Sequence, residues 1–218
     1  MMELEAKYAI PDQNSLTELL TSDFWQDYRL EDLRCEEYKA IYLDTTTAAV
    51  AELWSSVRLR KEGEKAVVTF KWPVGEEAAI SAAIKIRGEY NLELKQENFE
   101  HWQNELLARE DFHTQVPPEL VVLVRENMLF PRYQAIFKRH HAEMRFGTSL
   151  LELAIDVGYL QAGQAQEDIS ELEIELIEGQ AEDLTHFCEK VTARFALQAL
   201  QESKFTRLLA LEKRMLSR

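Results

Sequence analysis

Charged residues recur at every second position in several separate stretches of the chain, and the two signs are mixed. Glu3, Glu5 and Lys7 open the sequence in this rhythm. Arg58 and Arg60 follow, then Thr69 and Lys71, then Lys85, Arg87, Glu89, Asn91, Glu93 and Lys95, and late in the chain Glu171, Glu173 and Glu175. A spacing of two puts such side chains on one face of a β-strand. The positions between them are mostly apolar, as in Leu4, Ala6 and Tyr8 or Leu172, Ile174 and Leu176. Converging lysines and arginines suit a polyanion, because guanidinium forks bind phosphate oxygens bidentately. Converging carboxylates suit a hard divalent cation, with Mg²⁺ held by one or two of them plus substrate phosphates. Three carboxylates in a row on one strand face repel each other, and a bound cation would remove that repulsion. Together these features describe a polyphosphate–metal site. The plain alternative is a one-sided antiparallel sheet with a solvated charged face, and several strands of mixed sign weigh against it.

Such faces can act together only if the strands that carry them converge. Period-two patterning predicts strands at 57–60, 66–72, 84–95 and 169–177 besides the opening one, with extended segments at 28–43, 133–146 and 149–157 and a short one at 159–162. Gly63 marks a turn, Pro73 and Gly75 break the chain, and Gly158 reads as a turn or bulge. Helical spacing covers 15–25, 97–109, 119–126, 181–200 and 203–215, with a short helix at 46–55. Closing the charged strands into a barrel would gather the charges inside and turn the apolar faces outward, under the helices. The expected architecture is one compact α+β domain over 1–218.

Composition narrows the partners. The chain has 218 residues, 46% of them apolar, and a formal net charge of −14. That charge argues against nucleic acid and anionic membranes, which bind basic surfaces. No run of about 18 uncharged apolar residues occurs, so no transmembrane helix is expected. Nor is a signal peptide, since no basic-then-apolar leader opens the chain. Cys35 and Cys188 lie far apart without metal-ligand spacing and read as reduced, partly buried thiols of a cytoplasmic protein. There is no Walker-type phosphate loop and no G-x-S-x-G elbow. His140-His141 reads as a surface or barrel-end pair, and Trp25, Trp54, Trp72 and Trp102 as core.

The segment Glu3-Leu4-Glu5-Ala6-Lys7 resembles the E-x-E-x-K signature of the CYTH superfamily, the triphosphate tunnel metalloenzymes. The resemblance continues in order through Tyr42-Leu43-Asp44-Thr45, Val57-Arg58-Leu59-Arg60, Thr69-Phe70-Lys71, Arg87-Gly88-Glu89-Tyr90-Asn91, Ile155-Asp156, Glu171-Leu172-Glu173-Ile174-Glu175 and Ser203-Lys204-Phe205. Glu89-Tyr90-Asn91, Asp156-x-Gly158 and Ser203-Lys204 look most like bacterial inorganic triphosphatases, in which a helical CHAD domain often follows; here one would lie outside this chain.

The resemblance implies an eight-stranded antiparallel β-barrel, a triphosphate tunnel, with helices packed outside. It implies triphosphate binding by Lys7, Arg58, Arg60, Lys71, Arg87 and Lys204, with Lys138 and Arg139 standing where members carry a K-x-R-like pair. Neighbours on a strand face opposite ways, so only one of that pair can line a tunnel. It implies Mg²⁺ (or Mn²⁺) held or oriented by Glu3, Glu5, Glu89, Asp156, Glu171 and Glu173, with Glu3, Glu5 and Lys7 as the catalytic core. Asn91 stands where many members have a second glutamate. The expected activity is metal-dependent hydrolysis of inorganic triphosphate, a small-molecule substrate. The alternatives are a thiamine or nucleoside triphosphatase, a class IV-type adenylate cyclase, or a non-catalytic polyphosphate- or nucleotide-binding module.

Overall fold

The structure, a computed structural model, describes residues 2–62, 65–75, 80–95 and 101–217. The expected turn at Gly63 and the first residues of the helix expected at 97–109 lie outside them. The elements run β1 (Met2–Ala9), α1 (Gln13–Thr21), a 3-10 turn (Asp23–Asp27), β2 (Arg34–Asp44), α2 (Ala49–Glu52), β3 (Ser56–Glu62), β4 (Lys65–Pro73) and β5 (Ile84–Lys95). They continue with α3 (Trp102–Leu107), α4 (Glu110–Gln115), α5 (Pro118–Glu126), β6 (Phe130–Phe146), β7 (Ser149–Ala162), β8 (Ala165–Glu178), α6 (Ala181–Phe195), β9 (Gln198–Ala199) and α7 (Lys204–Leu216). No described helix is long and apolar enough to cross a membrane.

The strands pair antiparallel in the order β5-β4-β3-β2-β6-β7-β8-β1. β1 closes the circuit because it has a partner on each edge. Its Met2–Ala6 half pairs with β5, and its Glu5–Ala9 half pairs with β8. The two-residue β9 then lies against Tyr8 and Ala9, where β5 has already diverged. An eight-stranded barrel results, with no free edge along most of its circuit.

Alternation decides what faces in. Outside, Ala6, Tyr8, Ile155, Leu172 and Ile174 pack under α1 and α6 with Leu19, Phe187 and Val191. On the opposite flank Val57, Leu59, Val68, Phe70 and Leu92 pack under α3 to α5 with Leu106, Phe112, Leu120 and Val124. α7 behaves differently. Its Phe205, Leu208 and Leu211 cluster with Tyr42, Tyr133, Ala135, Phe137 and Leu160, which share strand faces with tunnel-lining residues. The helix therefore seals one end of the barrel interior.

Several local expectations change. Helix α6 stops at Phe195 rather than near 200, because Ala196 takes a left-handed conformation (φ 47°) and the chain turns back to pair with β1. The expected single helix at 97–109 is α3 ending at Leu107, followed by a separate α4. Trp25 and Trp102 are buried and Trp72 packs on Gly88, but Trp54 is 86% exposed in a left-handed turn (φ 53°) after α2. Cys35 is exposed, with Sγ 3.6 Å from His140 Nε2, while Cys188 is buried.

Gly158 is neither turn nor bulge. It sits within the continuous β7, opposite Phe137 of β6. A Cβ there would lie 2.1 Å from the Ile136 carbonyl oxygen and 2.5 Å from Phe137 Cα. Close backbone approach, not chain reversal, is what requires glycine. Gly158→Ala should lose about 3 kcal/mol of unfolding free energy, the upper range for overpacking. Urea denaturation would measure it, and a loss below about 0.5 kcal/mol would show that the two strands part easily.

Candidate active site

The barrel encloses a cavity of about 380 Å³ whose wall mixes both charges. Strand β1 contributes Glu3, Glu5 and Lys7, β3 contributes Arg58 and Arg60, β4 Lys71, and β5 Lys85, Arg87 and Glu89. β6 adds Arg139, β8 adds Glu173 and Glu175, and α7 adds Lys204. Each strand residue is inward because successive side chains alternate faces and its neighbours face outward, whereas Lys204 enters from the first turn of α7.

Register sorts the carboxylates into two groups. Glu3 stands opposite Arg87, Glu5 opposite both Lys85 and Glu175, and Lys71 opposite Glu89. This brings Glu3, Glu89 and Glu175 together, with one oxygen of each within 4.8 Å of the others. Lys71 Nζ bonds Glu3 Oε1 and lies 3.7 Å from Glu89 Oε2. Burial opposes the charge on Lys71, but Glu3 and Glu89 outweigh it and hold the ammonium protonated. Burial likewise works against Glu89, yet Lys71 and the Asn91 amide keep its carboxyl below the usual range. Glu175 has less relief. Burial and the neighbouring Glu3 carboxylate push it up to about 8, against the pull of Lys71.

The second group lies deeper. Asp156 and Glu171 are opposite one another on β7 and β8 and are fully buried. With Glu173 they form another triad within 4.8 Å. Lys204 Nζ sits among them, 2.7 Å from Asp156 Oδ2 and 2.9 Å from Glu173 Oε1, and bonds Glu171 Oε1. Arg139 donates to both oxygens of Asp156 at 2.7 Å, and Lys7 Nζ lies 2.8 Å from Glu173. Burial would raise Glu173, but Lys204, Lys7 and Arg139 hold it well below the usual carboxylate range. Lys204 and Arg139, expected to bind phosphate, are thus engaged with carboxylates.

The remaining expected residues divide cleanly. Arg58 and Arg87 line the cavity, and Arg58 Nε is buried with no hydrogen-bond partner among the described residues. Lys138 does not reach the cavity. Its side chain is 62% exposed and lies 3.6 Å from Glu37, because Phe137 and Arg139 on either side take the inward face. His141 pairs with Arg34, the first residue of β2, and is buried 3.9 Å from Glu36, but it joins no acidic cluster that could hold a metal among the described residues. Sequence reasoning missed Glu175 as a candidate ligand and Lys85 as a lining cation. Both lay in the alternating runs, so period-two counting alone would have found them.

The outer triad fits a hard divalent ion: three carboxylates, one of them poorly compensated, facing a cavity with room for substrate oxygens. A closed antiparallel barrel carrying such a polyanion-and-cation tunnel defines a triphosphate tunnel protein. The profile of the CYTH domain matches residues 1–209, and the chain belongs to the CYTH family. A protein from Hippeastrum, presented as an adenylyl cyclase candidate with dominant triphosphatase activity, shares the fold with TM-score 0.61 at 17% identity, covering 95% of each chain. An adenylate cyclase candidate from Bacillus halodurans matches with TM-score 0.57 and 16% identity, over 94% of this chain and 96% of that one. A Pyrococcus horikoshii protein matches with TM-score 0.55 and 13% identity, over 95% and 98%. No curated protein matches significantly in sequence.

The raised Glu175 has a consequence for stability. In the metal-free protein the folded state keeps this proton up to about pH 8, whereas an unfolded glutamate releases it near 4.5. Between those values the folded state binds the extra proton, so the contribution of this group falls as pH rises. Glu175→Gln should flatten that decline in EDTA, read as melting temperature against pH. An unchanged slope would refute the assignment of the raised group.

Proposed function

We propose that the protein is a metal-dependent hydrolase of inorganic triphosphate, releasing phosphate and diphosphate, and that it works in the cytoplasm. The observation that carries this reading is the partnerless Arg58 Nε, buried in the wall of the same cavity that holds the Glu3, Glu89 and Glu175 triad. A buried donor without an acceptor is costly, and a phosphate oxygen would satisfy it. Family membership supports the substrate class, and the activity of the Hippeastrum relative is in keeping with it. Unpaired Cys35 and Cys188 suit a reducing compartment.

Arg58, Arg60, Lys85 and Arg87 would grip the phosphate chain, and Lys7 and Lys71 would steady the carboxylates nearest to it. Glu3, Glu89 and Glu175 would hold Mg²⁺ or Mn²⁺. Such an ion supplies charge neutralisation on the phosphate oxygens and polarisation of a nearby water. Glu5 suits the role of general base. It lines the cavity, and burial together with Glu173 raises its pKa, which makes it a stronger proton acceptor than an exposed glutamate. Water adds to the terminal phosphorus, its proton passes to Glu5, and the bridging P–O bond breaks with its electron pair leaving on diphosphate. The fixed guanidinium groups stabilise the charge that develops on the leaving and equatorial oxygens.

Phosphate release from triphosphate, ATP and thiamine triphosphate, each with Mg²⁺, Mn²⁺ or EDTA, tests the reading. Metal-dependent release from triphosphate is expected to dominate. Arg58→Ala should lower kcat/KM about 100-fold, the loss typical of removing one preorganised donor, with the melting temperature held or raised. Preference for ATP with cyclic product would move the assignment to a cyclase. Tight triphosphate binding without turnover would leave a binding module.

A further inference from the structure

The inner triad has the composition of a second cation site, and a side chain of this protein fills it. Asp156, Glu171 and Glu173 are grouped as closely as the outer three carboxylates. Lys204 is the first residue of α7, and its ammonium carries three N–H donors. All three triad members receive it: Asp156 Oδ2 at 2.7 Å, Glu173 Oε1 at 2.9 Å, and Glu171 Oε1 in direct contact. The other oxygens are also engaged. Arg139 donates to Asp156 Oδ1 and Oδ2 and, at 2.5 Å, to Glu173 Oε2. Arg207 Nη1 reaches Glu171 Oε2 at 3.3 Å. Lys7 Nζ adds a contact of 2.8 Å to Glu173 Oε1.

The lysine is anchored from behind. Ser203 caps α7 by accepting from the Thr206 amide, and Phe205, Leu208 and Leu211 bury the helix in the sealed end of the barrel. Withdrawing Lys204 would mean unseating that turn. Admitting a divalent ion beside it would place like charges within contact of each other in a site shielded from water, which is strongly unfavourable.

We propose that Lys204 is the resident cation of the inner triad and that it restricts the tunnel to a single divalent ion, at Glu3, Glu89 and Glu175. Lys204 is therefore a positioning residue that replaces a metal, not a phosphate ligand. The proposal takes the outer site from the function proposed above, and the experiment separates the two.

Equilibrium binding of Mn²⁺ to the full chain, with free ion read by electron paramagnetic resonance, gives the count directly. Wild type and Lys204→Arg are each expected to bind one ion tightly, Lys204→Met two, and Glu175→Gln to lose the wild-type ion. Melting temperature in EDTA should fall for Lys204→Met and recover with Mn²⁺ by more than wild type gains. Should Lys204→Met unfold in EDTA, refolding by Mn²⁺ supports the proposal, and failure to refold with Mn²⁺ overturns it. Two ions in wild type, or one ion in both wild type and folded Lys204→Met, also overturn it. No tight ion in wild type but one gained in Lys204→Met would sink the outer-site reading and leave the role of Lys204 standing.

Discussion

Charge facing into a closed barrel must be compensated locally, because little water reaches it and an unpaired buried ion costs several kcal/mol. The whole interior follows from that constraint. At the sealed end, Asp156, Glu171 and Glu173 are surrounded by Lys204, Arg139, Arg207 and Lys7. Near Glu3 the balance tips the other way: Lys71 bonds Glu3 and the Asn91 amide bonds Glu89 within a group of three carboxylates. Compensation therefore declines along the bore. The deep cluster is a finished structural network, and the outer one has spare charge for a ligand.

Helix α7 is what separates the two ends. It supplies Lys204 to the acidic cluster and an apolar face to the aromatic lining, and Lys204 Nζ also lies 5.2 Å from the Phe137 ring centroid. Farther along, Arg60 lies 4.9 Å from the Tyr38 ring centroid, which holds a guanidinium against an aromatic surface while leaving it within the cavity wall. The C-terminal helix thus belongs to the electrostatics of the site as well as to the packing of the barrel.

The charged faces were legible because strict period-two alternation admits only one strand orientation per residue once the apolar side is buried. The alternation over Ile84–Lys95 coincides with β5 at both ends for this reason. Grouping was not legible. Glu171, Glu173 and Glu175 share a face, but pairing sets Glu171 beside Asp156 and Glu175 beside Glu5. Register between distant strands therefore decides which carboxylate meets a lysine and which stays crowded. Lys138 and Arg139 pose the same problem. Parity says that one must face out, and only the inward packing of Ala135 and Phe137 selects Arg139. Gly158 misled for a related reason, since its need for glycine comes from the backbone of β6.

The unequal compensation also bears on how substrate and metal enter. A triphosphate approaching Arg58 and Arg87 alone would meet the negative charge of Glu3, Glu5, Glu89 and Glu175 across the same cavity. A divalent ion approaching those carboxylates alone would meet Lys71 and the guanidinium groups. Each ligand removes the repulsion that opposes the other, so on the proposed function their bindings reinforce one another, and such coupling is reciprocal. The inner triad cannot take part in that exchange, because its charge is already met by side chains that the fold holds in place. On the proposed function, the end of the cavity suited to catalysis is therefore the one the protein leaves electrostatically incomplete.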